Sequence, residues 1–305
     1  QPRIQDTAKR LWFLYIGLTL AQTFLLHYGG MGFFDAINHS FTTMSTGGFS
    51  TKQASLAYYQ SPFIEYVTTA FMFLGGTSFV LLYGFFKGKF MALWRNEEFR
   101  TYLFIILLGA FITTVVLTIR SGLPMGDAFR TSLFQVVSIL TTTGYATADF
   151  TTWGGGVVLL FFLLMFIGGS AGSTAGGVKI VRHVIIAKNT LLEFKRQLHP
   201  SAIIPVRLNE KIVDITITRN IMAFVIIYMT TFGVASVSLS LMGMDVFTAL
   251  GSVATSLGNI GPGLNETGPS TTFSQISDAS KWILGGLMVV GRLEFFTVLI
   301  LFTGY

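Results

Sequence analysis

The chain has 305 residues, 51% of them hydrophobic and only 11% charged, with a mean hydropathy of +0.65. A soluble domain carries roughly 25% charge, so this composition excludes an ordinary soluble globule and places the chain in a bilayer. The absence of cysteine excludes disulfides, thiolate metal sites and thiol catalysis.

Taken in chain order, the apolar pattern predicts three units of span, half-span, turn and span. Residues 1–98 hold a span at 11–27, a short helix at 33–44, a turn, and a span at 63–86. Residues 99–212 hold spans near 101–119 and 156–188 around a short helix at 125–140. Residues 213–305 hold spans near 220–241 and 281–302 around a short helix at 245–256. About 20 apolar residues cross the roughly 30 Å of hydrocarbon, so each long run suffices and each short helix does not. Gln1 reads as an internal or processed start, and Tyr305 as a stop inside a longer span.

The net charge of +6 is not spread evenly. Basic residues gather in alternate loops: Arg3, Lys9 and Arg10, then Lys87, Lys89, Arg95 and Arg100, then a run from Lys179 through Lys188, Lys195, Arg196, Arg207 and Lys211 to Arg219. The intervening loops carry Asp35, Glu65, Asp127, Asp149, Asp245, Glu266 and Asp278. This alternation fits the positive-inside rule, with the basic loops cytoplasmic, and it removes nucleic acid as a partner. Trp94, Trp153 and Trp282 fall near span ends, where an interfacial belt would hold them.

Each short helix runs into a turn of glycine and hydroxyl or amide residues, and the three turns share one register. Aligning Gly48, Gly144 and Gly261 places Thr46, Thr142 and Asn259 two positions before, and Phe49, Tyr145 and Pro262 just after. Ala36, Ser132 and Ala249 stand at the same distance upstream, followed by Ile37, Leu133 and Leu250. The glycines lie 96 and 117 residues apart, room for two crossings, so all three turns face one side as parallel repeats. The alternative is an ordinary extracellular hairpin in each unit. Non-helical backbone persists at membrane depth only where protein shields it or water lines it. A re-entrant half-helix therefore implies a turn along a pore axis, where backbone carbonyls replace the hydration shell of a cation. The candidate filter comprises Thr46, Gly47, Gly48, Thr142, Thr143, Gly144, Asn259, Ile260 and Gly261.

A second feature lies midway along the second span of the middle unit. Gly168, Gly169, Gly172, Gly176 and Gly177 each cost about 1 kcal/mol in a helix interior, so this span should break. Ser173 and Thr174 and the freed carbonyls then face water or protein. A small-residue packing face is the bland alternative. A phosphate loop fails, because Lys179 comes one position late and Ile180 replaces the hydroxyl. Arg292 and Glu294 fall deep in the last span, where an arginine costs about 2.5–3.5 kcal/mol and needs a partner or a watery face. Arg292 is either one half of a structural pair or a cation set beneath the filter, against the glycine-rich break. Asp35, Asp127 and Asp245 near the half-helix starts read as N-caps that also attract cations to an outer mouth. The histidines are scattered, and Glu193, Lys195 and Arg196 read as the surface of a solvated loop.

These stretches resemble the potassium-transporter superfamily that includes TrkH and KtrB of bacteria and the HKT proteins of plants. Residues 45–51, 142–147, 168–179, 259–264 and 291–297 carry the resemblance, in the family's order. Residues 4–9 and the Gly48-Phe49-Ser50-Thr51 run leading to Ala54 and Ser55 look more like TrkH than KtrB. The resemblance implies an all-α integral membrane protein of tandem parallel span, pore-helix, filter-loop, span repeats around a central pore. It implies four units, of which these are the second to fourth, so that the first unit and two further spans would precede Gln1. It implies potassium uptake across the bacterial inner membrane by a multi-pass subunit that is not an enzyme, with potassium transported and bound in the filter. The partners implied are a second copy of the chain and a cytoplasmic nucleotide-binding ring of the TrkA type, for which residues 188–211 offer a basic docking surface. Gly168, Gly169, Gly172, Ser173, Thr174, Gly176, Gly177, Lys179 and Arg292 are expected to form the gate. A glycine at each filter position goes with potassium in this family, and a serine in the first unit with sodium tolerance. A sodium- and potassium-permeable HKT-like transporter and an ion-coupled secondary transporter stay open as alternatives.

Overall fold

The computed structural model describes residues 2–202 and 204–293. Helix α1 (Pro2–Tyr28) precedes the short α2 (Phe33–Met44), and α6 (Glu97–Ser121) precedes α7 (Met125–Leu140). Helix α10 (Ile215–Leu241) precedes α11 (Val246–Gly258) in the same way. In each pair the long helix packs on the short one that follows. Ala8–Tyr28, Glu97–Ser121 and Ile215–Leu241 are long and apolar enough to cross a membrane. At about 1.5 Å per residue, α2 rises only ~18 Å, too short to cross roughly 30 Å of hydrocarbon.

Apolar side chains sort by what they must touch. Phe104, Phe111 and Ile119 on α6 and Val234, Val237 and Leu241 on α10 are exposed, as lipid-facing positions are. Tyr102, Phe134, Tyr145, Phe150 and Phe161 are fully buried in the central cluster around α7. Phe150 stacks on Phe161 at 4.6 Å between centroids, and Phe73 stacks on Tyr102 at 5.0 Å. Helix α7 is thereby buried along most of its length, walled by α3 (Pro62–Gly75) on one side and α6 on another.

The structure corrects several expectations. The span predicted at 63–86 is two helices, α3 and α4 (Phe79–Phe86), bent by 108° at Gly75-Gly76-Thr77-Ser78. The adjacent glycines weaken helix there, and Gly76 allows a close approach that no other residue permits: a Cβ on it would lie 2.5 Å from the Tyr102 hydroxyl and 2.7 Å from Thr141 Cγ2. A short α5 (Phe90–Arg95) follows. The second span of the middle unit breaks as expected, into α8 (Gly155–Leu164) and α9 (Ile180–Leu198). Helix α9 continues to Leu198, so Glu193, Lys195 and Arg196 stand on a helix and not in a loop. There Arg196 donates to the Ile204 carbonyl at 2.8 Å and pairs with Glu193. A small antiparallel hairpin follows, β1 (Arg207–Leu208) with β2 (Lys211–Ile212), turned by Asn209 and Glu210 at φ 49° and 66°. Two residues with positive φ make the turn whose twist suits a hairpin.

Of the three aspartates read as N-caps, only Asp245 caps, accepting from the N–H groups of Phe247 and Thr248. The Thr248 N–H bond, helped by Asn265 and the Phe247 N–H, holds its carboxyl below the usual range. Asp35 is the third residue of α2, in its first turn, and accepts from the Thr51 hydroxyl at 2.7 Å while pairing with Lys52. Asp127 pairs with Arg130. Trp153 is buried against Phe161 rather than placed in a belt, whereas Trp94 and Trp282 are exposed. The last described helix is α12 (Asp278–Leu293); Glu294 and the expected span to residue 302 lie outside the described residues.

The close approach at the bend can be measured. Gly76→Ala should destabilise the full-length protein by about 1–3 kcal/mol, the usual cost of overpacking. A thermal unfolding midpoint equal to that of the parent in detergent would show that α3 and Tyr102 do not meet as described.

Candidate ion-permeation site

The three short helices end in one shared backbone pattern. Thr46, Thr142 and Asn259 all adopt left-handed φ, at 51°, 56° and 55°. The N–H that follows each reaches back five residues to a helix carbonyl: Gly47 to Thr42 at 2.8 Å, Thr143 to Ser138 at 2.9 Å, and Ile260 to Thr255 at 3.0 Å. This is the hydrogen bond of a Schellman terminus, whose left-handed position is normally glycine or asparagine. Asn259 follows that preference. Thr46 and Thr142 do not, and a β-branched residue held there stores about 1–3 kcal/mol.

The next glycines then turn the chain sharply, with φ 64° at Gly48, 83° at Gly144 and 116° at Gly261. Successive turns abut. A Cβ on Gly48 would lie 1.8 Å from the Thr143 carbonyl oxygen, and one on Gly144 would lie 1.8 Å from that of Ile260. Each glycine thus packs against the residue preceding the next glycine. Among the described residues, a Cβ on Gly261 meets only the Gly144 backbone, at 3.9 Å. Residues of all three turns, including Thr46, Gly47, Gly48, Thr143, Gly144, Asn259, Ile260 and Gly261, line one cavity of about 510 Å³ with Met288 and Arg292.

Tyr145 braces two of the turns. Its buried hydroxyl donates to the His39 carbonyl at 3.0 Å and lies 2.6 Å from the Thr42 hydroxyl, which itself donates to the Phe49 carbonyl at 2.7 Å. Asn259 is tied instead to α12, through its side-chain amide and the Met288 carbonyl at 3.1 Å.

The glycine-rich break folds directly against these turns. Thr174 is its most connected residue: its hydroxyl donates to the Met44 carbonyl at 2.8 Å, and its carbonyl accepts from the Thr46 hydroxyl at 2.8 Å and from Arg292 Nη1 at 3.0 Å. Gly176 donates its N–H to Thr142 Oγ1 at 2.6 Å and passes so close to α11 that a Cβ would lie 2.4 Å from the Gly258 carbonyl oxygen. The loop therefore touches the ends of all three short helices. The two strained threonines are the very residues whose hydroxyls it engages, which offsets part of their backbone cost. Gly168, Gly172 and Gly177 have positive φ, at 80°, 72° and 73°, and so does Lys179 at 78°, whose Nζ donates to the Ala175 carbonyl. Within the loop, Ser173 Oγ donates to the Ser170 carbonyl at 2.6 Å.

The bend between α3 and α4 anchors the loop from behind. Ser170 N–H donates to the Gly76 carbonyl at 2.9 Å, and Phe79 N–H donates to that of Gly172 at 3.1 Å. Ala171 N–H donates to Glu98 Oε1 at 2.6 Å. A second cavity, of about 350 Å³, lies along Gly172–Gly177 and is lined also by Lys179, Arg182, Phe224 and Arg292. Arg292 lines both cavities. The sequence-predicted residues thus come together in two adjoining groups joined by Thr174 and Arg292. Sequence reasoning missed Gly75, Gly76 and Glu98. The double glycine followed by hydroxyl residues, seen again at Gly168-Gly169-Ser170, was the available signal for the first two.

The chain matches the family model described as "TrkH: Cation transport protein" over residues 1–304. It is 38% identical over 303 residues to the Trk system potassium uptake protein TrkH of Halomonas elongata, covering 99% of this chain and 62% of that protein. It is 37% identical to the Escherichia coli K12 protein of the same name, covering 99% of this chain and 63% of that protein. The crystal structure of the potassium transporter TrkH from Vibrio parahaemolyticus superposes with a TM-score of 0.92 at 37% identity, over 100% of this chain and 65% of that one. The chain thus spans somewhat less than two thirds of the length of these relatives. With the family model matched almost end to end and the helices superposing throughout, the chain is a multi-pass membrane protein that belongs to the TrkH family of cation transport proteins.

Proposed function

We propose that residues 1–98, 99–212 and 213–305 form three of the four sides of a potassium-conducting pore, in the pore subunit of a Trk-type uptake system of a bacterial inner membrane. The observation that carries this reading is the shared turn: three half-helices end in one left-handed backbone, abut in sequence, and line one cavity. Turns of this kind aim carbonyl oxygens at a common axis, where they can replace the hydration shell of a monovalent cation. Among the described residues only the Gly144 backbone lies within 4 Å of a Cβ on Gly261, and on this reading a fourth unit of the full-length protein closes the ring between Gly261 and Gly48. The relatives' printed function as potassium uptake proteins supports potassium as the ion.

The glycine-rich loop serves as the gate beneath that filter. Its hydrogen bonds to Thr46, Thr142 and Arg292 set it across the inner side of the turns. Arg292 has two roles at once: its guanidinium holds the Thr174 carbonyl, and its charge raises the energy of a cation passing between the two cavities. The protein works as a homodimer with a nucleotide-binding ring of the TrkA type, which docks on the end of α9 and the β-hairpin, the basic and hence cytoplasmic side.

Selectivity tests the filter. Gly144→Ser in the full-length protein should lower the potassium-over-sodium flux ratio in proteoliposomes at least about tenfold, which corresponds to ~1.4 kcal/mol. The added side chain collides with the Ile260 carbonyl and cannot hold a φ of 83° at ease. An unchanged ratio would remove that turn from the filter.

Gating tests the loop. Deleting residues 171–175 should raise potassium flux and reduce its dependence on the cytoplasmic ring. Normal, still-regulated flux from a folded deletion protein would make the segment packing material. Arg292→Ala should raise leak per purified dimer, because it removes both the charge and the bond to Thr174. Lower yield with normal flux per surviving molecule would reduce Arg292 to a structural role.

A further inference from the structure

The start of α6 carries two consecutive carboxylates that face different parts of the protein. Glu97 is clasped by the β-hairpin: its N–H donates to Asn209 Oδ1 at 2.8 Å, and its Oε1 accepts from Asn209 N–H at 3.2 Å. Its other oxygen pairs with Lys188 of α9, whose Nζ also donates to the Arg207 carbonyl at 2.9 Å. Glu98, the next residue, turns inward and is 7% exposed. Its Oε1 accepts the Ala171 N–H of the glycine-rich loop at 2.6 Å. A carboxylate buried to this degree is costly unless hydrogen-bonded. Here the bond to the loop and the positive end of α6, whose first turn holds both residues, offset that cost.

Nothing in filter or gate chemistry by itself requires this carboxylate, since the loop's other contacts run to backbone and hydroxyl groups and, at the Thr174 carbonyl, to the Arg292 guanidinium. We propose that Glu97 and Glu98 form a relay: Glu97 holds the hairpin, Glu98 holds the loop, and a displacement of the hairpin reaches the loop through one rigid helical turn. Glu98 is a positioning residue on this account. It never meets the ion, and it acts by fixing Ala171 in the closed arrangement. The proposal rests on the reading of the loop as the gate, and it adds the route by which a partner bound at the hairpin acts on it. Helix α9 closes the circuit, because it begins where the loop ends and presents Lys188 to the same Glu97.

The chain contains no cysteine, so one introduced thiol reports on the loop. In the full-length protein, with any cysteine outside this chain replaced, Ser173→Cys is labelled with a water-soluble maleimide and the rate is followed. Glu98→Ala should raise that rate about tenfold, the scale of one lost charge-assisted hydrogen bond. Glu98→Gln keeps an acceptor oxygen and should restore most of the protection. Asn209→Ala, which frees the hairpin from Glu97, should raise the rate several-fold when Glu98 is present and add little in the Glu98→Ala background. That non-additivity is the signature of a shared path. Independent, multiplicative effects of the two substitutions would overturn the relay, and so would an unchanged rate in Glu98→Ala. Should Glu98→Ala fail to fold, Asn209→Ala alone decides: faster labelling supports the relay and an unchanged rate overturns it. The flux of the 171–175 deletion separates the two levels. If the deletion leaves flux unchanged, the gate reading fails; if the deletion raises flux while labelling ignores Glu98 and Asn209, only the relay fails.

Discussion

The structure depends on how it satisfies backbone that helices have released. Among the described residues two apolar spans break and three short helices end in buried turns, and each break leaves carbonyl and N–H groups that lipid cannot bond. The Thr174 carbonyl marks where these debts meet. It accepts from Thr46 of the first turn and from Arg292 of α12, while the Thr174 hydroxyl bonds the Met44 carbonyl at the end of α2. The Gly75 and Gly76 carbonyls at one broken span accept hydrogen bonds from Thr174 and Ser170 at the other. One break is the hydrogen-bonding partner of the other, and the half-helix ends sit against both.

That arrangement explains the distribution of strain. Thr46 and Thr142 hold left-handed backbone at a cost that asparagine at position 259 avoids. A hydroxyl there has a use that offsets the cost, since one donates to the loop and the other accepts from it. Asn259 uses its amide elsewhere, on the Met288 carbonyl. The turns are alike in backbone and different in side chain because, among the described residues, the loop comes from the segment between α8 and α9, so each turn meets a different neighbour. In the proposed pore this asymmetry puts the gate against a filter that is otherwise built from equivalent parts.

Charge near the spans follows the same logic of pairing. Arg130 is held between Glu65 of α3 and its own Asp127, tying the middle half-helix to the first unit. Arg182 lies 4.0 Å from the centroid of the Phe224 ring. Among the described residues, Glu98 is the buried carboxylate that connects the loop to α6, and Glu97 beside it faces the hairpin.

The sequence by itself determined the class, the placement of α2 and α7, the positions of the three turns and the broken span between α8 and α9. These are local matters of hydropathy, helix length and the cost of consecutive glycines, and the chain carries them without reference to its fold. It also carried the likeness to cation transporters, because that rests on short motifs in fixed order. Only the tertiary structure decided that the span at 63–86 bends by 108°, since two glycines alone do not outweigh so apolar a run until the loop at Ser170 and Gly172 offers partners. It likewise decided that Asp35 and Asp127 pair rather than cap, that Trp153 is core, and that Glu98 reaches Ala171 across 73 residues of chain. Hydrogen bonds between distant segments have no period and no spacing in the sequence. They exist only once packing has brought the two ends together.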